Sequence, residues 1–456
     1  MKKLLSMLIA FTVLFTACKE NDPPVADNAV NFQADKQGFT AAQTSAEVKL
    51  TLSRNADAAV PVIISLSSTG LTYGTQFTTE PAATNGTVSV TIPAGSNSAA
   101  IKVNKAANLF LNGNESITFK VASAGSPVVV GATSQMQLSF SSIVSTGTQL
   151  TLDGGTGGSA AVNSVYVDLS ANKQTSVARN DWDLGFYSGA DYRVILNNTL
   201  AASVLPTTKT DINAVTAADV TTANLALGFG QGSFSIFDDV NGDLTKTAIA
   251  AVSATDADNK VYIVNRSGGS GTVLPAADLM KVRILRNMSN GGYTLQYAKV
   301  GETTFQTLSI AKDSQYNFRY ISFAKGAVEI EPAKANWDLQ WTYSIYYTGT
   351  TPYAFSDLVF TNYLAGTQVA EVLTSAVSYD AYTEANIAAT TFTASRNTVS
   401  SNWRVTSGGT VGVKTDRFYV IKDSAGNVYK LKFVSFGPDG GTRGYPVLAY
   451  ALVKKA

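Results

Sequence analysis

Residues 164–455 spell one pattern twice, at a spacing of roughly 150 residues that is too long for a solenoid repeat and suits a pair of domains. Three anchors recur in the same order. Asp181-Trp182-Asp183-Leu184 matches Asn336-Trp337-Asp338-Leu339, Lys260-Val261-Tyr262-Ile263-Val264 matches Arg417-Phe418-Tyr419-Val420-Ile421, and Gly292-Tyr293-Thr294-Leu295 matches Gly444-Tyr445-Pro446-Val447. A weaker fourth match sets 211–220 beside 378–387, which share a Thr, an Ala and an Asp or Asn at equal spacing. The second part of the chain therefore reads as a tandem pair, copy one over 164–305 and copy two over 306–456, with no flexible stretch between them.

The repeated elements read as strands. Period-two alternation is common, as in 47–53 (EVKLTLS), 88–92 (VSVTI), 100–103 (AIKV) and 117–121 (ITFKV), with Gly, Asn, Pro or Ser turns between. Helical periodicity is scarce; 217–227 and 382–389 are the exceptions, at corresponding places in the two copies, with Thr216 and Thr383 as N-caps. The 456 residues, 45% hydrophobic and 15% charged, hold material for about three cores. The fold class is all-β. In each Trp-Asp-Leu anchor, alternation sends the indole and the flanking carboxylates to opposite faces, so Trp182 and Trp337 read first as core residues and second as ligand-stacking surfaces.

At the N-terminus, Lys2 and Lys3 precede an apolar stretch, 4–15, too short to span a bilayer comfortably, and Thr16-Ala17-Cys18 ends it with small residues. This order is a lipobox: residues 1–18 form a lipoprotein signal peptide, and Cys18 takes a diacylglycerol on its thiol before becoming the mature N-terminus. Phe15 is bulkier than the aliphatic residue usual at its place, and an ordinary secretory signal with a chance Cys is the alternative. Cys18 is the only cysteine, so no disulfide forms within the mature chain. Residues 19–28, with Pro23-Pro24, read as a flexible tether, and Lys19-Glu20-Asn21-Asp22 resembles the charged tag that exports Bacteroidetes lipoproteins to the outer face of the outer membrane. The expected location is the outer membrane, exposed on the cell surface, through lipid alone.

The anchors also carry a family resemblance. Each copy resembles the HmuY family of Bacteroidetes surface lipoproteins: a Trp-Asp-Leu strand, a later apolar strand with a central Tyr, and a last hairpin closing on Gly-Tyr. The resemblance implies an all-β fold and, in its best-known members, haem held between two axial side chains. Their ligands lie just before the strand matching Val261-Tyr262-Ile263 and in the last hairpin. Copy one has Met288 in that hairpin, but 254–260 offers only Thr, Ala, Asp, Asn and Lys; copy two has a matching donor at neither place. Met288 is thus the one candidate haem ligand, and an exposed or packing Met is the plainer reading.

Residues 29–143 read as a seven-stranded immunoglobulin-like sandwich and resemble a Calx-β module through 73–77 (YGTQF), 90–95 (VTIPAG) and 114–117 (NESI). Calcium-binding members of that family carry an Asp where this chain has Thr75, and acidic pairs where only Glu115 remains. One carboxylate cannot supply the six to eight oxygens of a calcium site, so the module reads as a spacer, with a partner-binding surface as the alternative. Residues 144–163, containing the run 154–159 (GGTGGS), read as a Gly-rich linker.

Several chemistries are excluded. The chain has no histidine, which removes Ser-His-Asp and Cys-His catalysis and His-based zinc sites. Net charge is +1, which points to no nucleic acid or polyanion. The run 238–243 (DDVNGD) looks like part of a calcium loop, but Ala250 stands where a bidentate Glu belongs, and a solvated turn is the plainer reading. Gly228, Gly230 and Gly232 mimic a phosphate loop, yet 233–237 (SFSIF) alternates like a strand. No acid, base and nucleophile set assembles, so no metal, catalytic residue or resident cofactor is expected. The leading expectation is a non-enzymatic, surface-anchored binding lipoprotein whose ligand is a protein or glycan; the alternative is a haem-binding lipoprotein that captures haem for uptake.

Overall fold

The computed structural model describes residues 26–40, 43–107, 109–140, 144–228, 231–266, 271–437 and 442–456. Cys18 and most of the expected tether lie outside the described residues. The chain divides into two units at 143/144, and both are β structures whose described helical elements are 3-10 turns. The capping residues of those turns match the expectation. The Thr216 N–H donates to Asp219 Oδ2 at 2.8 Å, and the Thr383 N–H donates to Asn386 Oδ1 at 2.8 Å.

The second unit holds two five-stranded and two four-stranded antiparallel sheets, besides a small hairpin of Arg404–Val405 with Gly412–Val413. One five-stranded sheet runs Ser203–Pro206, Val261–Asn265, Met280–Asn287, Gly292–Lys299, Gln306–Ile310. Its counterpart runs Gln368–Leu373, Arg417–Lys422, Val428–Ser435, Val447–Lys454, Gly147–Thr151. One four-stranded sheet is Val194–Leu196, Leu184–Tyr187, Phe318–Ser322, Gly326–Val328, and its counterpart is Thr351–Thr361, Leu339–Thr348, Asn163–Asp168, Lys173–Ala178. The strand orders correspond place for place.

These sheets do not respect a boundary at 305/306. Past it, the strands at 306–310 and 318–322 pair with strands of copy one, and 326–328 extends the sheet through 318–322; the strands at 147–151 and 163–168 pair with strands of copy two, and 173–178 extends the sheet through 163–168. An inner half, contiguous over 184–328, is therefore nested in an outer half built from 147–178 and 339–454. The cores follow the same exchange. Ile310 and Ile321 pack with Leu184, Val264 and Tyr293, whereas Val165, Val167 and Leu169 pack with Leu339, Trp341 and Tyr450.

The Gly-rich stretch is part of this second unit and not a linker. The Gly154 N–H donates to Gly444 O at 2.9 Å, and a Cβ on Gly154 would sit 2.4 Å from the Trp341 ring. Glycine there permits close packing rather than freedom. Residues 233–237 are also not a strand: they form turns and bends, with Ile236 and Phe237 buried.

The first unit is a sandwich of ten strands, not seven. One sheet is Phe77–Glu80, Ser98–Lys105, Ser45–Leu52, Ala29–Phe32, Val129–Val130; the other is Lys36–Phe39, Gln135–Phe140, Ser116–Ala124, Val60–Thr69, Thr87–Ile92. The extra strands arise partly because the first run breaks at 33–35 and serves both sheets. Alternation does the rest: Ala46, Val48, Leu50 and Leu52 point inward from one strand and Val88, Val90 and Ile92 from another, into one core. The Glu115 carboxylate is occupied, accepting from the N–H groups of Asn112 at 3.1 Å and Gly113 at 2.9 Å. Millimolar calcium is expected to leave the melting temperature of the first unit unchanged; a rise reversed by chelator would contradict this reading.

Candidate functional site

Within each half, the Trp-Asp-Leu anchor grips a segment that belongs in sequence to the other copy. The N–H of Asp183 donates to Ile321 O at 2.8 Å, and its Oδ2 accepts from the Phe323 N–H at 2.6 Å. The matched residue repeats the geometry: the N–H of Asp338 donates to Val167 O at 2.7 Å, and its Oδ2 accepts from the Leu169 N–H at 2.9 Å. An Asn then fixes each Trp. Asn197 Nδ2 donates to Trp182 O at 2.7 Å, and Asn362 Nδ2 donates to Trp337 O at 2.9 Å.

Held this way, each indole meets a tyrosine on the exchanged strand edge to face. Trp182 and Tyr320 have ring centroids 4.9 Å apart at 80°, and Trp337 and Tyr166 5.1 Å apart at 81°. Both Trp residues are buried, as the core reading expected, and both also line a cleft of about 120 Å³ between the halves. The two readings of Trp182 and Trp337 describe one position.

The charged groups of the cleft are mostly committed. Glu331 Oε1 accepts from the Phe318 N–H at 2.7 Å, with the Tyr320 hydroxyl 3.5 Å from Oε2. Burial pushes the Glu331 carboxyl up to about 8, against the opposing pull of those donors, so it is largely protonated at neutral pH. Burial likewise raises both Tyr166 and Tyr320, which stay neutral phenols. Asp238 accepts from the N–H groups of Leu196 at 2.6 Å and Ala248 at 3.0 Å, and burial raises it to about 6. The Arg396 guanidinium lies 3.7 Å from the Phe360 ring centroid and donates to Val240 O at 2.9 Å.

The run 238–243 is therefore only partly the solvated turn expected. Asp238 is buried, because its carboxylate ties two separate backbone segments together; Asp239 closes the turn itself, accepting from Asn241 N at 2.9 Å and Asp243 N at 3.1 Å. Among the described residues no three His, Cys, Asp or Glu side chains converge to hold a metal ion. Met288 lies in the turn between Met280–Asn287 and Gly292–Lys299, 84% exposed, and is not among the residues lining the cleft.

Four polar groups in the cleft lining are buried and have no hydrogen-bond partner among the described residues: Asn198 Oδ1, Trp337 Nε1, Ser344 Oγ and Thr361 Oγ1. Sequence reasoning missed these, and it missed Tyr166, Tyr320, Glu331 and Arg396. Tyr166 and Tyr320 had a usable signal, since they stand at matched places in the repeat. Glu331 and Arg396 had none, because no motif surrounds them.

The profile of the family described as HmuY protein matches residues 160–450 in a single span. That span takes in both repeats, in keeping with sheets that neither repeat completes alone. No curated protein matches the chain. Solved structures similar to parts of it include the apo Calx CBD1 domain, 10% identical over 25% of this chain and 96% of that one, with a TM-score of 0.22. A Bacteroides ovatus protein described as carbohydrate binding is 10% identical over 73% of this chain and 80% of its own, with a TM-score of 0.19. A Bacteroides vulgatus protein described as HmuY-like and heme binding is 12% identical over 68% of this chain and 94% of its own, with a TM-score of 0.15. At these scores none of the three carries a functional argument.

A carboxyl raised on folding destabilises the folded state once pH passes its unfolded value near 4.5, and the loss is complete above its folded value of about 8. Glu331 should thus make stability fall with rising pH in that window, at up to about 1.4 kcal/mol per pH unit. Denaturant melts at pH 5 and pH 8.5 are expected to show Glu331→Gln near wild type at the lower pH and more stable than wild type at the higher.

Proposed function

The chain belongs to the HmuY family, and on that premise we propose that it is a non-enzymatic binding protein, anchored by lipid on Cys18 and displayed at the outer membrane surface, whose ligand is a protein or a glycan. The observation that carries the binding reading is the aromatic-lined cleft with four buried polar groups that have no described partner. The buried carboxylates there support a role without catalysis. Glu331 and Asp238 are spent on backbone N–H groups, and the chain has no histidine to act as a base at neutral pH.

The anchor reading rests on the order of basic, apolar and small residues ending at the sole cysteine. Several acyl chains on one residue hold a protein to a bilayer without a spanning helix. Cys18→Ser is expected to abolish both palmitate labelling and partition into the membrane fraction; a variant that keeps both would remove the anchor from this reading.

Haem capture is the second reading, and it would need two protein donors. Met288 is the one residue that the family resemblance points to, and its turn is exposed. Titration with ferric and ferrous haem is expected to give no saturable low-spin spectrum, and Met288→Ala to change nothing. A one-to-one Soret band lost in that variant would move haem to first place.

A further inference from the structure

We propose that the cleft between the two halves binds a single neutral sugar residue. This rests on the reading of the chain as a binding protein and names the class of its ligand. The first support is the pattern of unmatched hydrogen-bonding groups. Trp337 Nε1 can only donate and Asn198 Oδ1 can only accept, while the hydroxyls of Ser344 and Thr361 can do either. A ligand that satisfies all four must both donate and accept at several points around a small body. Hydroxyl groups on a ring do this; a carboxylate, which only accepts, and an ammonium, which only donates, do not.

The second support is the mixture of surfaces. Trp182, Trp337 and Phe360 bring aromatic rings to a lining that also holds these polar groups. A pyranose has apolar C–H faces and a polar rim, which is the same division. Size agrees. A volume of about 120 Å³ admits roughly ten water-sized groups, comparable to one hydroxylated six-membered ring and far short of a porphyrin or a folded peptide segment.

Charge separates the remaining candidates. A quaternary ammonium would use the aromatic rings but leave all four polar groups unpaired. An anion would meet Asp238, Asp239 and Asp243, which line the cleft, with Arg396 already placed against Phe360 and bonded to Val240 O. A neutral polyol meets neither objection.

The test uses the full mature protein, solubilised in a detergent without a sugar headgroup. Glucose, galactose, mannose, fucose, N-acetylglucosamine and N-acetylgalactosamine are each titrated by calorimetry and by saturation-transfer NMR. At least one is expected to bind one to one with millimolar or tighter affinity. Ser344→Ala with Thr361→Val removes two hydroxyls that no described protein group uses, so the melting temperature should hold or rise while the affinity falls at least about tenfold. Trp337→Phe, which keeps an aromatic ring and removes Nε1, should weaken the same sugar. Failure of all six sugars to bind, or binding indifferent to the double variant, would overturn the sugar assignment, and a cleft that holds water alone would give this result. Native mass spectrometry of protein purified from its own membranes separates the two levels of the argument. A retained non-sugar ligand would sink this inference and leave the binding reading standing, whereas no ligand in either experiment would sink both.

Discussion

The second unit depends on two buried aspartates that each bind a backbone N–H from the other copy. Asp183 holds Phe323 and Asp338 holds Leu169, while the main chains of the same two residues continue the ladders to Ile321 and Val167. A charge-assisted hydrogen bond to a buried N–H is among the stronger single contacts available, and losing it would strand both donor and acceptor away from water. Because the grip is reciprocal, neither sequence repeat completes a four-stranded sheet without strands from the other. The tight approach of Gly154 to Trp341 and the shared cores are consequences of the same interlock.

The two aspartates occupy equal positions in unequal surroundings. Beside Asp183 stands Arg266, with which it forms an ion pair. The repeat places Asp423 where Arg266 would be, and Asp338 lies in the field of both Asp423 and Asp168. Burial first, and those two carboxylates second, raise the Asp338 carboxyl above the usual range. One clasp has a cationic partner and the other faces carboxylates. The two halves share strand order and clasp geometry but surround the clasp aspartate with different charges.

The cleft shows the same divergence. Its aromatic pairs are matched, Trp182 with Tyr320 and Trp337 with Tyr166, but the polar groups between them are not. Asp238 belongs to the inner half, Glu331 to the segment that follows it, and Arg396, Ser344 and Thr361 to the outer half. Two lysines, Lys281 buried and Lys430 half-buried, are by contrast alike: Lys281 Nζ donates to Val215 O at 3.2 Å and Glu302 O at 2.8 Å, and Lys430 Nζ to Tyr379 O at 2.8 Å and Tyr382 O at 2.9 Å. They serve the fold rather than the cleft.

What could be read from the chain alone is what local pattern encodes. Alternation made Ser45–Leu52 and Thr87–Ile92 legible as strands, since facing a core is a property of neighbouring residues. The repeat placed Trp182 beside Trp337, and Thr216 and Thr383 were recognisable caps because a cap acts within one turn. The sequence by itself thus determined an all-β chain without histidine, with its anchors recurring in one order. Only the tertiary structure decided that 306–328 completes the sheets of copy one and 147–178 those of copy two, because alternation marks which face a strand buries and is silent on which strand lies beside it. Tyr166, Tyr320, Glu331 and Arg396 meet through that pairing alone, so the cleft became visible only once segments far apart in the chain were hydrogen-bonded to each other.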